Sequence, residues 1–266
     1  MHARSRLGAS LLCCCLPMAA GCLHSSYNLA THRTDYAMSS DDKEVALGRK
    51  LAKQVEKEVK LVEDEATQTR VRTIGRRLAA VCDRQELVYS FAVIKDEDVN
   101  AFSLPGGYVF VHEGLVKKVG SDDELASVIA HEIGHVAARH AMQRYEGSLG
   151  YQLLQLASLA TRNAATAQGV GVAIQATRLA YARQEELEAD RLGVKYLKAA
   201  GFHPAASVTF LERLHQLEHD KTQYLPRGVN RPAYGMTHPF IADRLRAVKE
   251  ELYGVADYLD YLNTRE

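Results

Sequence analysis

The stretch from Leu125 to Ala138 constrains this chain most, because it has a helical pattern that is apolar on almost every side. A helix of this kind belongs in the interior of a folded domain. Three of its residues, His131, Glu132 and His135, are nevertheless polar or ionisable. Burial of such groups without partners is costly. The pattern therefore predicts that the interior supplies a partner for them, and a metal ion is the simplest one.

The spacing of these residues supports a metal. A capping box over residues 121–124 predicts a helix that continues to about Arg144. His131 and His135 then project from one face, about 6 Å apart along the axis. Two imidazoles so placed can occupy two corners of a tetrahedral zinc site, and Glu132 lies beside them, near enough to take a proton from water. This is the H-E-x-x-H pattern of zincins.

A third ligand must come from another part of the chain. The metzincin pattern is excluded, because Ala138 and Ala141 stand where that pattern has Gly and His. Glu186 and Asp190 are four residues apart on one face of a later helical pattern. Glu186 could bind the metal while Asp190 holds a ligand histidine by its second nitrogen. The alternative, a solvated acidic helix start, explains the neighbouring Glu188 well but explains the paired spacing less well.

The rest of the chain predicts helices around a small sheet. Apolar residues recur at helical spacing before residue 82 and again from Ser121 onward. Between them, β-branched and aromatic residues indicate three short strands, over Leu87–Ile94, Asn100–Leu104 and Tyr108–His112. We therefore expect an α+β fold, predominantly helical and zincin-like, with one small antiparallel β-sheet. His112, His140, His203, His215 and His219 lack ligand spacing to the motif, and we interpret them as surface or structural residues.

The N-terminus has the features of a secretory signal. Arg4 and Arg6 precede an uncharged run, Leu7 to Gly21, that is too short to span a bilayer. Small residues before Cys22 resemble a bacterial lipobox, so we expect cleavage there and lipidation of Cys22. Ordinary signal cleavage that releases a soluble protein is the alternative.

Charge excludes one class of partner. Lys and Arg total 33, and Asp and Glu also total 33, so no global field favours a polyanion. We expect no nucleic acid partner. The low-charge segment 148–177 carries several Gln residues that disfavour a membrane span. We favour buried helices there, and a cover over the site or a lipid contact is the other hypothesis.

Several motifs together resemble a known family. The pattern His131-Glu132-x-x-His135 is followed by Glu186-x-x-x-Asp190. An Asn-Ala-Phe segment with a Pro-Gly-Gly turn lies over 100–107, and a His-Pro element with a later Arg includes His238 and Arg244. The chain in this way resembles zinc metallopeptidases of the CAAX prenyl endopeptidase and HtpX type, which are gluzincins, over about residues 40–250. It is most similar to their short bacterial lipoprotein members.

The resemblance implies a zinc metalloendopeptidase with one Zn²⁺ per chain. His131, His135 and Glu186 would bind the metal, Asp190 would support a ligand, and Glu132 would act as general base. His238 and Arg244 would stabilise the oxyanion, or His238 would close the site as a fourth ligand until substrate displaces it. The implied domains are a signal peptide over 1–21, a lipidated tether over 22–39 and a zinc metallopeptidase domain over 40–266.

The resemblance also implies an extended polypeptide substrate. The strand at Tyr108, Val109 and Phe110, with Asn100 and Ala101 beside it, would pair with the substrate backbone. Such pairing favours unfolded or misassembled envelope proteins, cleaved for quality control. A lipidated Cys22 would place the protein at the bacterial outer membrane, facing the periplasm.

Two other functions compete with this one. The first is an outer-membrane assembly factor or chaperone-like binder whose zinc is gated by His238, with the assembly machinery as partner. The second is a zinc hydrolase of non-peptide bonds, which the strand segment disfavours. The intact Glu132 favours catalysis.

Overall fold

The computed structural model describes residues 24–37, 40–148, 164–224 and 238–254. The predicted signal peptide, Cys22 and residues 149–163 of the low-charge segment lie outside these ranges, and the side chains of 164–181 and 218–224 are not described either. The hypotheses for these segments therefore stay predictions. Within the described ranges, no helix combines the length and the apolar character that crossing a bilayer requires.

Most of the described residues are helical, which confirms the predicted α+β class. The strands are β1 (His24–Asn28), β2 (Arg33–Ala37), β3 (Ser90–Ile94), β4 (Ala101–Leu104) and β5 (Tyr108–His112). The helices are α1 (Asp41–Glu58), α2 (Glu65–Ala79), α3 (Glu113–Lys118), α4 (Asp122–Ala137), α5 (Ala164–Ala200), α6 (Ala206–Tyr224) and α7 (Ile241–Tyr253).

The three-stranded sheet has the order β3-β5-β4 and is mixed, which corrects the expected antiparallel sheet. β4 and β5 form an antiparallel hairpin, with Ala101 opposite Val111. Gly106 and Gly107 allow its tight turn, with φ of 75° and 94°. The chain between β3 and β4 places β3 on the far side of β5, parallel to it. Residue patterns show the strands but carry no signal for this crossover.

This order makes β5 the central strand, paired along its whole length on both sides. The outer side of β3 is also covered, by a bridge from Leu61 and by the side chain of Gln68, which bonds both polar groups of the Val93 backbone. β4 has a strand partner on one side only within the described part of the chain. The substrate-pairing role expected of Tyr108, Val109 and Phe110 is therefore wrong, and among the described residues β4 is the strand of this sheet with a free side.

The helix of the motif begins as predicted and ends earlier. The Ser121 hydroxyl accepts a hydrogen bond from the Glu124 N–H at 3.1 Å, which caps α4. α4 stops at Ala137 instead of continuing to Arg144, and a second helical stretch runs over 140–148. The break lies at Arg139, whose φ is 60°. There the guanidinium turns into the interior and pairs with the buried Glu44 at 3.0 Å, which offsets the backbone strain.

Most of the predicted tether over 22–39 is folded, since residues 24–37 form a hairpin. β1 and β2 form an antiparallel hairpin. At its turn the Asn28 side chain is buried and donates a hydrogen bond to the Ala137 carbonyl at 3.2 Å, at the end of α4. The same side chain accepts a hydrogen bond from the Ala30 N–H at 2.9 Å. This hairpin therefore satisfies a helix end that would otherwise lack a partner.

Close packing of α4 against α5 assembles the site. A Cβ at Gly134 would lie 2.7 Å from the Ala189 carbonyl oxygen, so only glycine fits between the two helices. A Cβ at Gly193 would lie 3.2 Å from the backbone nitrogen of His131. The two glycines let the two backbones approach, and this approach brings the histidines of α4 next to the carboxylates of α5.

We expect Gly134→Ala to lower the free energy of unfolding by about 1–3 kcal/mol, because the added methyl group overpacks the contact with Ala189. Helix propensity alone predicts the opposite sign, a gain of about 1 kcal/mol. Ala46→Gly, at an exposed position of α1, is the matched control for propensity. Urea unfolding of both variants gives the comparison, and a more stable Gly134→Ala variant would contradict the close packing.

Candidate metal centre

Four side chains converge on one point in the interior. They are His131 and His135 from α4, Glu186 from α5 and His238, which lies just before α7. One ligand atom from each lies within 4.8 Å of the others. All four residues are buried. The structure thus brings together the three predicted ligands and His238, the predicted alternative fourth ligand.

The distances between these atoms fit a tetrahedral zinc ion. Zn–N bonds of 2.0–2.1 Å imply ligand atoms about 3.3 Å apart at the corners of a tetrahedron. The Nε2 atoms of His131 and His135 lie 3.0 Å apart, and each lies 3.3–3.4 Å from a carboxylate oxygen of Glu186. His238 Nδ1 lies 3.3 Å from His131 Nε2 and 3.3 Å from Glu186 Oε2. The donor set agrees with the predicted zinc ion.

Glu132 lies beside this cluster with its carboxylate unsatisfied. The residue is 1% exposed, and neither carboxylate oxygen accepts a hydrogen bond from the described residues. The imidazole of His238 lies beside it, with Nε2 3.3 Å from Oε1. A buried carboxylate in this state is costly unless a metal, water or substrate accompanies it. Its place next to the ligand atoms suits a base that acts on water.

His131 is oriented by an acid and an arginine. Its Nδ1 lies 2.8 Å from Asp190 Oδ1, on the opposite side of the ring from the cluster. Arg244 donates two hydrogen bonds of 2.7 Å to the same carboxylate. Burial opposes ionisation of Asp190, but the Arg244 charge and these bonds hold its pKa at about 2. An ionised Asp190 keeps the His131 ring in place, as the sequence spacing predicted.

Arg244 is directed at carboxylates. It is 1% exposed, and besides its two bonds to Asp190 its Nη1 lies 3.2 Å from Glu186 Oε2. Burial again opposes ionisation of Glu186, but the Arg244 charge leads the interactions that hold its pKa well below the usual value. This geometry favours a positioning role for Arg244 over the predicted contact with an oxyanion, which stays untested.

His135 has a partner that sequence reasoning missed. Its Nδ1 lies 2.8 Å from His140 Nδ1, and His140 is 1% exposed. His140 Nε2 in turn lies 3.3 Å from Glu188 Oε2. Helical periodicity does not bring position 140 to this side, because it assumes an unbroken helix. The turn at Arg139 brings His140 to this side, and no residue pattern in the sequence predicts that turn.

The predicted substrate-binding residues separate into two groups. Ala101 is on β4, and its carbonyl oxygen lies 3.3 Å from His238 Nε2, next to the cluster. Asn100 precedes it, is buried, and accepts a hydrogen bond from the Ala101 N–H through its own side chain. Tyr108, Val109 and Phe110 lie in the central strand β5, where both backbone sides are paired.

A small open pocket lies beside His135. Ser103 and Leu104 of β4 form one wall, and Met142 and Val136 form another.

Comparison with known proteins agrees with this site. The model of peptidase family M48 matches residues 65–252. A beta-barrel assembly-enhancing protease of Yersinia pestis is 31% identical over 242 residues, which cover 85% of this chain and 48% of the relative. The protein of the same name from Escherichia coli K12 is 32% identical over 213 residues, 76% of this chain and 42% of the relative.

A mitochondrial relative is also similar. The metalloendopeptidase OMA1 of Schizosaccharomyces pombe is 31% identical over 182 residues, which cover 68% of this chain and 52% of the relative. The chain thus spans about half the length of these curated relatives. The matched range contains every residue of the cluster and the positioning residues around it. Together these findings confirm the predicted family: the chain belongs to peptidase family M48.

Proposed function

We propose that this protein is a zinc-dependent endopeptidase of the bacterial cell envelope that cleaves unfolded or misassembled envelope proteins. The observation that carries the proposal is the buried group of four ligand atoms with the unsatisfied carboxylate of Glu132 beside it. Zincins hydrolyse peptide bonds with this pair of features. The membership in peptidase family M48 supports the same reaction.

The proposed mechanism assigns one task to each buried group. His131, His135 and Glu186 would hold the zinc ion, which in such sites activates water and polarises a carbonyl. Glu132 would take the proton of the attacking water and pass it to the leaving amine. Asp190 and Arg244 would keep the ligands His131 and Glu186 in place.

The substrate would bind along β4. Its free side adjoins the cluster, since the Ala101 carbonyl lies 3.3 Å from His238 Nε2. An extended peptide can add to such a side by main-chain hydrogen bonds, which read backbone more than sequence. A folded protein has few extended segments to offer. This geometry supports unfolded polypeptides as the substrate class.

His238 would act as a gate at the cluster. Its Nδ1 takes the fourth position among the ligand atoms, and its Nε2 lies near both Glu132 and the Ala101 carbonyl. Substrate bound along β4 would approach this ring directly. Displacement of His238 would then admit substrate and free Glu132 for water.

Lipidation of Cys22 would anchor the protein to the outer membrane, facing the periplasm. The lipobox-like sequence before Cys22 supports this location. The names of the bacterial relatives associate them with β-barrel assembly, which supports outer-membrane proteins and their assembly machinery as partners. No feature within the described ranges favours the alternative of an assembly factor without catalysis, because such a factor has no use for a buried, unsatisfied Glu132.

We expect Glu132→Gln to lower casein cleavage by at least 10²-fold, because the amide cannot accept the water proton. Zinc content, measured by mass spectrometry, should stay at one ion per chain, since Glu132 is not among the ligands. Chelation should abolish wild-type cleavage, and added zinc should restore it. Glu124→Gln, on the same helix but away from the cluster, is the control and should stay active. Undiminished cleavage by Glu132→Gln would refute the assigned base.

The gate predicts that His238→Ala cleaves a short unstructured peptide faster than the wild type. Removal of the imidazole leaves a ligand position that substrate no longer has to clear. Initial rates at equal zinc occupancy measure the effect. A loss of cleavage would instead assign His238 to oxyanion stabilisation.

The anchor predicts that Cys22→Ser moves the protein from the membrane fraction to the soluble fraction of a diderm host. A lipid-modified mass of the wild-type N-terminus should accompany membrane association. Equal membrane association of both forms would contradict lipidation at Cys22.

A further inference from the structure

A chain of contacts leads from the ligand His135 through His140 to Glu188. The Nδ1 atoms of the two histidines lie 2.8 Å apart, and His140 Nε2 lies 3.3 Å from Glu188 Oε2. We propose that His140 and Glu188 are positioning residues that hold His135 in one tautomer and one ring orientation for metal binding. The inference rests on the proposed zinc site and adds a supporting group to it.

The hydrogen bonds from His135 to Glu188 allow one assignment of protons to the ring nitrogens. His135 Nε2 lies 3.0 Å from His131 Nε2 and 3.4 Å from Glu186 Oε1, so it is the ligand atom and needs a free lone pair. The proton of the neutral ring is then on Nδ1, which donates to His140 Nδ1. His140 must accept there, so its own proton is on Nε2. That N–H donates to the Glu188 carboxylate.

The two ligand histidines of α4 are therefore supported in parallel ways. His131 reaches the carboxylate of Asp190 directly, and Arg244 holds that carboxylate. His135 reaches the carboxylate of Glu188 through one intervening imidazole. A carboxylate behind a ligand histidine fixes the ring and raises its basicity, and its loss weakens metal binding.

Glu188, the last residue in this series of contacts, has a partner of its own. Arg33 of β2 donates hydrogen bonds of 2.8 and 3.0 Å to the two carboxylate oxygens of Glu188. His140 itself is 1% exposed and is placed by the break at Arg139. The buried His140 ring has the His135 N–H as donor on one side and the Glu188 carboxylate as acceptor on the other. It can therefore satisfy both only by accepting at Nδ1 and donating from Nε2.

The test measures zinc affinity by competition with a chromophoric chelator in the purified protein. We expect His140→Ala to weaken zinc binding by about 10- to 100-fold, the range for loss of such a supporting group. Glu188→Gln should weaken it less, because the amide oxygen can still accept. His140→Asn, whose side-chain oxygen can replace Nδ1 as acceptor, should bind zinc more tightly than His140→Ala.

Glu185→Gln is the matched control. Glu185 lies on the same helix, is buried, and pairs with Arg144 at 2.7 Å instead of with a histidine. Its zinc affinity should equal that of the wild type. Thermal unfolding of the metal-free variants distinguishes loss of the His135–His140–Glu188 contacts, called the relay below, from loss of the fold. If His140→Ala does not fold, Glu188→Gln still tests the proposal.

NMR of the ¹⁵N-labelled imidazoles gives a readout that does not depend on activity. In the zinc-loaded protein, the proton of His140 should be on Nε2. A proton on His140 Nδ1, or equal zinc affinity in His140→Ala and the wild type, would overturn the relay. Failure of the wild type to bind zinc would instead overturn the proposed function.

Discussion

The burial of two imidazoles in an apolar helix is the constraint on which the rest of the structure depends. Each ring of His131 and His135 needs a partner at both nitrogens, because water does not reach them in the interior. The structure supplies Glu186 and His238 on one side and Asp190 and His140 on the other. The close contact of α4 with α5, the position of α7 and the break after Ala137 together place partners at the four ring nitrogens of His131 and His135.

Charge explains why this arrangement calls for a cation. Three buried carboxylates, Glu132, Glu186 and Asp190, face one buried guanidinium, that of Arg244. As zinc ligands the imidazoles must be neutral, and the cluster then carries an excess of two negative charges in a medium that solvates charge poorly. A divalent cation at the ligand atoms restores balance.

The sequence predicted those parts of the site that follow from helical spacing. His131, Glu132 and His135, and then Glu186 and Asp190, needed only the four-residue period of two regular helices. His140 was missed because it depends on a left-handed residue, and Glu188 was missed because an acidic helix start explained it. Strand existence was readable from composition, but strand order was not, since pairing depends on the path of the chain between strands. The free strand was therefore placed at β5 instead of β4.

The hairpin of β1 and β2 changes where the chain can be shortened. Its Asn28 amide bonds the last turn of α4, and its Arg33 pairs with Glu188. A recombinant fragment that began at residue 40 would keep every side chain of the cluster, yet it would release the Ala137 carbonyl and remove the Arg33 guanidinium from Glu188. Truncation for expression or crystallisation should therefore start upstream of residue 24.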